Sequence, residues 1–391
     1  MHISDYDLAI CGAGPVGLAL AALLSRAGVD PRRIIVLDAR PLAQACDDPR
    51  SIALSHGSSQ ILGEIGAWPI AASVIEEIHV SRRGQFGRTL IDARTLGVPA
   101  LGFVTRYGLL VDALSRACNE AGVQVLRPAT VAAVREDADQ VRLTLAASHV
   151  LGARIMVQAE GGLFGAQPDR IRSHDYAQTA IVADVGVSTP SPKRAFERFT
   201  DEGPLALLPL PQGAESARST AGALHYALVW CTHPATARRL MALPDDAFLE
   251  ALGDAFGSRV GRFQRVSARS TYGLGLSAGS AVTNRTVAVG NAAQTLHPVA
   301  GQGLNLGLRD AVVLARLLAH DCGPASLPRF IAERRADRGI TIRLTDMMAR
   351  VFASAPEGSL SQGLLGLSLG AIDGLAPAKR LLAEQMMYGR R

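Results

Sequence analysis

Apolar and polar positions change their spacing several times along this chain, and each change marks an element. DLAIC (Asp7–Cys11) is a short continuous apolar run, the pattern of a buried strand, and the Leu/Ala-rich stretch Leu18–Ala27 beyond the next glycines reads as a helix. A second apolar run, RIIVLDAR, completes a strand–helix–strand unit that ends in Asp38. The polar, glycine-spaced stretch RRGQFGRTLIDARTLG predicts a hairpin, Leu109–Ala121 a helix, and 123–158 short strands closing on the pair Glu160 and Gly161. From Tyr176 the sequence alternates in YAQTAIVADVGV, AFERFTDEG, LALLPLP and LHYALVWC, with turn residues between, which predicts an antiparallel sheet. PDDAFLEALGDAFG predicts a helix with Asp245 or Asp246 near its cap, and after a long loop at 284–305 a helical region reaches about residue 350.

Composition bounds this picture. The chain has 391 residues, 48% hydrophobic, enough for two domains with cores of their own, and its 19% charged residues argue against disorder. No stretch approaches the roughly 20 uninterrupted apolar residues of a membrane span. The opening MHISDYDLAICGAG has no basic n-region and no cleavage site, so a signal peptide is not expected. Cys11, Cys46, Cys118, Cys231 and Cys322 are scattered, odd in number and without a C-x-x-C pair, which argues for a reducing compartment and against a structural zinc site. The net charge of +5 is spread along the chain with no basic stripe interleaved with aromatics, which excludes nucleic acid and suits an anionic cofactor or lipid.

Between the first strand and helix lies GAGPVG, with Gly12, Gly14 and Gly17 in G-x-G-x-x-G spacing. Gly12 permits the tight turn, Gly14 lets backbone approach a pyrophosphate, and Gly17 lets the helix pack on the strand. Pro15 suits the first helical turn, and the helix N-terminus with Val16 offers amides and positive dipole to phosphate. Asp38, about 20 residues on, is the acid that accepts from a dinucleotide ribose, with Ala39 and Arg40 beside it. The motif leaves the choice between NAD(P) and FAD open.

The loop VAVGNAAQTLHPVAGQGLNLGLRDA is far longer than a strand-to-helix connection requires, glycine-rich and nearly uncharged. With GAGPVG, DPRSIALSHGS, RIMVQAEGG and the later RRADRGITIRLTDMMARVF, it resembles the flavoprotein aromatic hydroxylases built on the p-hydroxybenzoate hydroxylase plan, and within them the ubiquinone-biosynthesis ring hydroxylases of the UbiH/UbiF/VisC group. The resemblance covers essentially the whole chain. It implies an α/β chain, α+β overall: a Rossmann-like FAD-binding domain from 1–175 and 275–350, an inserted mixed or antiparallel sheet at 176–274 as substrate domain with a contribution from about 77–105, and a helical C-terminal segment at 351–391.

The resemblance also assigns residues. Gly290 and Asn291 stand where relatives carry a Gly-Asp pair, Asn291 keeping a ribityl contact without charge. Pro298, Gly301, Gln302, Gly303, Leu304 and Asn305 would run along the isoalloxazine, with the following helix aiming its dipole at the pyrimidine end. Arg50 and Ser51 would contact the flavin or its diphosphate, Arg106 would make a polar cofactor contact, and Val131 would pass its backbone by the adenine. Glu160 replaces the usual Asp before Gly161, keeping the charge one methylene further out. His297 reads equally as an acid/base or as a structural hydrogen-bonder, and no catalytic residue is assigned.

The activity implied is an FAD-dependent monooxygenase that hydroxylates a polyprenylated phenol in ubiquinone biosynthesis. FAD would be non-covalent, NAD(P)H a transient co-substrate in the absence of a second G-x-G-x-x-G, and dioxygen the oxidant through a flavin C4a-hydroperoxide. No metal is expected. Two other readings stay open: an oxidase, epoxidase or halogenase on the same scaffold (though no W-x-W-x-I is present), and a flavin-bound accessory protein without turnover, suggested by Glu160 and Asn291. The expected location is cytoplasmic, at the inner face of the cytoplasmic membrane. Leu364, Leu365, Leu367, Leu369, Ile372 and Leu375, followed by Lys379, Arg380, Arg390 and Arg391, make the C-terminal segment a candidate for contact with a membrane or a ubiquinone-biosynthesis complex.

Overall fold

Continuous apolar runs become the centre of the first sheet. In the computed structural model, which describes residues 5–84, 88–160, 172–211, 224–278, 283–298, 301–353 and 376–389, Tyr6–Cys11 pairs in parallel with Ile34–Leu37 on one side and Val150–Gln158 on the other. Gln124–Leu126 extends the sheet in parallel beyond Ile34–Leu37, and Thr286–Ala288 adds in parallel to Val150–Gln158. Val141–Leu145 and Val131–Glu136 complete it as antiparallel strands.

Strands covered on both faces need apolar residues at every position. Leu8, Ile10, Ile34, Val36, Ile155 and Val157 pack under the helices Pro15–Arg26, Tyr107–Glu120 and Gln302–His320. The alternate residues Ala9, Cys11, Ile35, Leu37 and Met156 pack with Val131, Val141 and Leu143.

The alternating region folds as expected, and as a mixed sheet. Its strand order runs Gln294–Thr295, Ser270–Ala278, Arg172–Val187, Tyr226–Thr232, Pro204–Pro209, Arg194–Phe199, Glu77–Arg82, Arg88–Asp92, with Phe263–Val266 beside Arg172–Val187. The hairpin expected over 82–97 is shifted toward the N-terminus: its arms are Glu77–Arg82 and Arg88–Asp92, the predicted stretch ends in the short helix Ala93–Leu96, and the first arm joins Arg194–Phe199 in parallel. One face carries Ile181, Val185, Phe196, Leu205, Leu207, Leu228 and Trp230 under the helices Pro234–Ala242 and Asp245–Phe256. The opposite face looks toward the first domain. A small antiparallel sheet of Ser51–Ser55, Gly102–Arg106 and Ser73–Ile75 stands between the two. No helix among the described residues is long and apolar enough to cross a membrane.

Candidate functional site

The three glycines of the first turn do three different jobs. Gly12 has φ +108, and a Cβ there would lie 2.6 Å from the Glu160 backbone nitrogen. At Gly17 a Cβ would lie 2.0 Å from the Gly12 carbonyl oxygen, so this glycine is what lets the helix touch the turn. At Gly14 the nearest outside atom would be the Tyr107 hydroxyl, 3.2 Å away, which leaves the space in front of the turn open. The helix Pro15–Arg26 begins with no side-chain cap, so its first amides point at that space without a partner from the cap residue.

Asp38 ends the second strand buried, at 6% exposure. It accepts from the Ala13 amide at 2.8 Å and from the Arg40 amide at 2.8 Å, and so fixes the turn from behind. The Ala129 amide donates to the Asp38 carbonyl at 2.7 Å, which brings the buried Val131 and its strand alongside. Glu160 lies over Gly12; burial raises its pKa, and the neighbouring Asp38 adds to the rise. Gly161 lies outside the described residues.

The long loop meets this turn at Val16. A Cβ on Gly290 would come 3.1 Å from Val16 Cγ2, and one on Gly307 would come 2.7 Å from the same atom. Residues nearly three hundred apart are thus packed with no room for a methyl group. Asn291 is exposed, its Oδ1 3.8 Å from the place a Cβ on Gly303 would take, beside the start of the helix Gln302–His320. That helix also begins with no side-chain cap, at Gly301, whose φ is +59. Pro298, Gly303 and Leu304 are half-buried around this start, and Gln302 is buried.

Asn305, expected along a ring edge, has a different task. Its Oδ1 accepts from the Ser55 amide at 2.8 Å and from Ser58 Oγ at 2.7 Å, while its Nδ2 donates to the carbonyls of Ala53 at 3.2 Å and Gly301 at 2.8 Å. A side-chain amide has two donor and two acceptor positions, so nothing remains for a ligand. Asn305 clamps the loop to the Ser51–Ser55 strand.

Arg106 is likewise engaged by the protein. It pairs with Asp184 of the second sheet at 2.7 Å and donates to Ser51 Oγ at 2.9 Å and the Pro49 carbonyl at 2.9 Å, tying the two domains together. Arg50 binds Asp48 at 2.6 Å and stacks over the Tyr107 ring at 4.9 Å, which places it one residue from the open space before Gly14.

His297 is buried against the second sheet. It is 1% exposed, its Nε2 lies 2.9 Å from Gln178 Oε1, and its ring meets Tyr176 edge-on at 5.0 Å. Burial lowers its pKa to about 4, so it is neutral near pH 7.

Two residues of this site escaped the sequence reading. Tyr107 shows only as the first residue of an amphipathic helix. Arg127 shows only as a lone basic residue in LRPATV, yet its side chain is 5% exposed. It donates from Nη2 to the Ala13 carbonyl and lies 4.0 Å from the Asp38 carboxylate, while Nε and Nη1 are buried without a hydrogen-bond partner. Burial lowers its pKa, and the Asp38 charge opposes that. Orphaned guanidinium donors are costly. Beside an open turn and the uncapped start of Pro15–Arg26, they fit the diphosphate and ribose of a dinucleotide. Arg127→Met should therefore weaken FAD binding by about 1.5–3 kcal/mol, the worth of a hydrogen bond to a charged group, with little loss of apoprotein stability. Quenching of flavin fluorescence on titration, set beside apoprotein melting, reads both.

Comparison with known proteins agrees with this geometry. The family model described as FAD binding domain matches residues 5–336. Ubiquinone hydroxylase UbiL of Rhodospirillum rubrum is 33% identical over 97% of this chain and 89% of its own length. The 3-demethoxyubiquinol 3-hydroxylase of Escherichia coli is 28% identical over 85% of this chain and 86% of its own. Among solved structures, p-nitrophenol 4-monooxygenase PnpA from Pseudomonas putida DLL-E4 has the same fold, with a TM-score of 0.76 at 16% identity over 99% of both chains.

Proposed function

The chain belongs to the FAD-binding-domain family of flavoprotein monooxygenases, and from that premise we propose that it hydroxylates the ring of a polyprenylated phenol in ubiquinone biosynthesis. The observation that carries the reading is the junction at Val16, where the dinucleotide turn and the long glycine loop are packed into one site facing the second sheet. FAD, when bound, would take electrons from NAD(P)H and activate dioxygen for transfer to the ring. The chain's own part is to hold and shield it. Gly14, Arg127 and the uncapped start of Pro15–Arg26 would hold the diphosphate; Asp38 and the Val131 strand, the adenosine; Asn291 and the start of Gln302–His320, the flavin half. The glycine loop carries no charged side chain between Gly290 and Leu308, which keeps water-attracting groups from the ring.

A cavity of about 80 Å³ adjoins Gln302 and Asn305 and is walled by Ile78, Ile91, Leu101 and Met387. Its apolar walls suit a hydrocarbon substituent beside the ring. Purified protein with a short-chain prenylated phenol should consume NAD(P)H faster than without it and yield a product carrying one oxygen atom from labelled dioxygen. Phenol-stimulated oxidation that releases only hydrogen peroxide would favour an oxidase, and no response to any phenol would favour an accessory protein.

The C-terminal helix Ala376–Tyr388 changes the expectation for the tail. Ala383 and Met387 are 4% exposed, the Met387 carbonyl accepts from Ser55 Oγ at 2.9 Å, and Gln385 donates to Asp337 at 3.2 Å. This helix is a wall of the cavity, so truncation after Val351 should destabilise the protein by about 3 kcal/mol or more, at ~1.5–3 kcal/mol per buried apolar side chain. Urea unfolding of the truncated chain checks it. Leu364 to Leu375, Arg390 and Arg391 lie outside the described residues. A peripheral membrane or complex contact is proposed for the helix's outer side, where Leu381 is 71% exposed beside Arg380.

A further inference from the structure

Glu197 is an anomaly in the second sheet. It sits in Arg194–Phe199, an inner strand, at 9% exposure, and has no hydrogen-bond or ion-pair partner among the described residues. An unpaired buried carboxyl costs stability, so a protein that keeps one has a use for it or a ligand that meets it.

Register tells which way it faces. Glu197 pairs with Val80 on one side and Ala206 on the other, and Ala206 pairs with Val229. Residues directly paired share a face, and so do residues two apart on one strand. Ala195, two residues earlier, belongs to the apolar cluster of Ile75, Ile91, Leu101 and Met387, so Glu197 shares the face turned to the FAD-binding domain. Two domain contacts bracket its position. Asp184, on this face, binds Arg106, and Gln178, further along the same strand, meets His297 of the glycine loop. Val229 pairs with Val182, which lies between those two contacts, so the row of Glu197 crosses the sheet between them. Around the carboxyl this face offers Val80, Ala206 and Val229, which are small, apolar and only half-buried.

We propose that Glu197 receives the ring hydroxyl of the substrate and accepts its proton during hydroxylation. The inference rests on the ring-hydroxylase reading above. As the ring carbon bonds to one oxygen atom of dioxygen, whose other atom leaves as water with two electrons supplied by NAD(P)H, the phenolic proton passes to the carboxylate, and the O–H electron pair stays on oxygen and enriches the ortho and para carbons. When the ring regains aromaticity its carbon-bound proton leaves to solvent, and the ring oxygen recovers the proton held by Glu197. The oxidant is dioxygen and the reductant NAD(P)H, as in that reading.

Burial pushes the Glu197 carboxyl up to about 8, close to working pH, where a general base is most effective. Among the described residues, the titratable and charged groups around it are few. Cys231 is kept a thiol, its pKa raised by burial and then by Glu197; Arg82, on the same face, lies 3.8 Å from Asp201; Asp184 is held by Arg106; and Asp346, from the helix packed on Pro204–Pro209, accepts from Tyr176.

The test compares native protein with Glu197→Gln and Glu197→Asp, using a short-chain prenylated phenol. FAD content and melting temperature, measured first, should match the native protein. Glu197→Gln should then lower kcat for the hydroxylated product on the order of 100-fold, within the usual range for a general base, while the phenol's Kd moves only a few-fold. The native rate should rise with pH through the region of 8, the glutamine variant should lose that limb, and the aspartate should keep it at a reduced rate. A glutamine variant with native kcat and native pH profile overturns the proposal, as does one that fails only through lost FAD or lost fold while Glu197→Asp behaves identically. If native protein itself hydroxylates no phenol, the underlying reading falls and the proposal with it.

Discussion

Asp310→Ala should cost roughly 3–5 kcal/mol of folding stability, the usual penalty for removing one partner of a buried ion pair. Against a total of about 5–15 kcal/mol for a typical domain, that is enough to leave much of the protein unfolded at physiological temperature. Asp310 is fully buried and accepts from Arg334 at 2.6 Å, from Arg338 at 2.8 Å and from the Gln294 amide at 3.0 Å. Asp337, also buried, accepts from Arg309 at 2.9 Å and from Arg334 at 2.5 Å. Alanine at position 310 would leave two guanidiniums in the interior with half their compensation gone. Urea unfolding of apoprotein measures the loss, and a variant within 1 kcal/mol of native would show that water reaches these arginines.

The same network explains why LRDA and RRADR lie on different helices yet act on one loop. Gln294 lies within the glycine loop and Asp310 in the helix that follows it, so their hydrogen bond ties the loop to that helix. Arg334 and Arg338, from the helix Ser326–Ala353, hold Asp310 in place for that bond. Loss of Asp310 should therefore weaken FAD as well as the fold, and saturating FAD should recover part of the lost stability by binding the native state. Replacing Asp310, Arg334 and Arg338 together by apolar residues of similar volume should cost much less than the single alanine, because it removes the charges along with their partner.

Much of this fold was legible because the pattern changes where the physics changes. Asp7–Cys11 and Ile34–Leu37 are continuous apolar runs because each is a central parallel strand covered on both faces, and YAQTAIVADVGV alternates because its two faces meet different layers. The dinucleotide turn was legible because its glycines have steric causes that leave few substitutes. The assignment of single polar residues was much less so. Asn305 and Arg106 lie in motif segments, but both are engaged by the protein itself, and no spacing rule separates a residue that touches a cofactor from one that holds the cofactor's loop. Arg127 and Glu197 carry no local signal. What singles them out is burial without a full set of partners, a property that exists only once distant strands are brought together.

Gly14→Val and Gly17→Ala should separate binding of the dinucleotide from formation of its site. Gly17 has no space to give: a Cβ 2.0 Å from the Gly12 carbonyl oxygen and 3.2 Å from Ala159 Cβ meets backbone on one side and a packed methyl on the other. The helix Pro15–Arg26 would have to lift from the sheet. Leu18, Leu20 and Leu24, all fully buried, would lift with it, so the cost should reach about 3 kcal/mol or more, at the upper end for overpacking. At Gly14 the nearest outside atom is a tyrosine hydroxyl at 3.2 Å, and the backbone lies outside the left-handed region. Valine there should fold but fill the space a pyrophosphate needs, with its two methyls in front of the uncapped helix start. The expected result for Gly14→Val is apoprotein with native circular dichroism that shows no saturable FAD binding on fluorescence titration. The expected result for Gly17→Ala is a large drop in melting temperature before any flavin is added. Full FAD occupancy in Gly14→Val would mean that the diphosphate does not approach this turn, and the reading of GAGPVG as its cradle would fail.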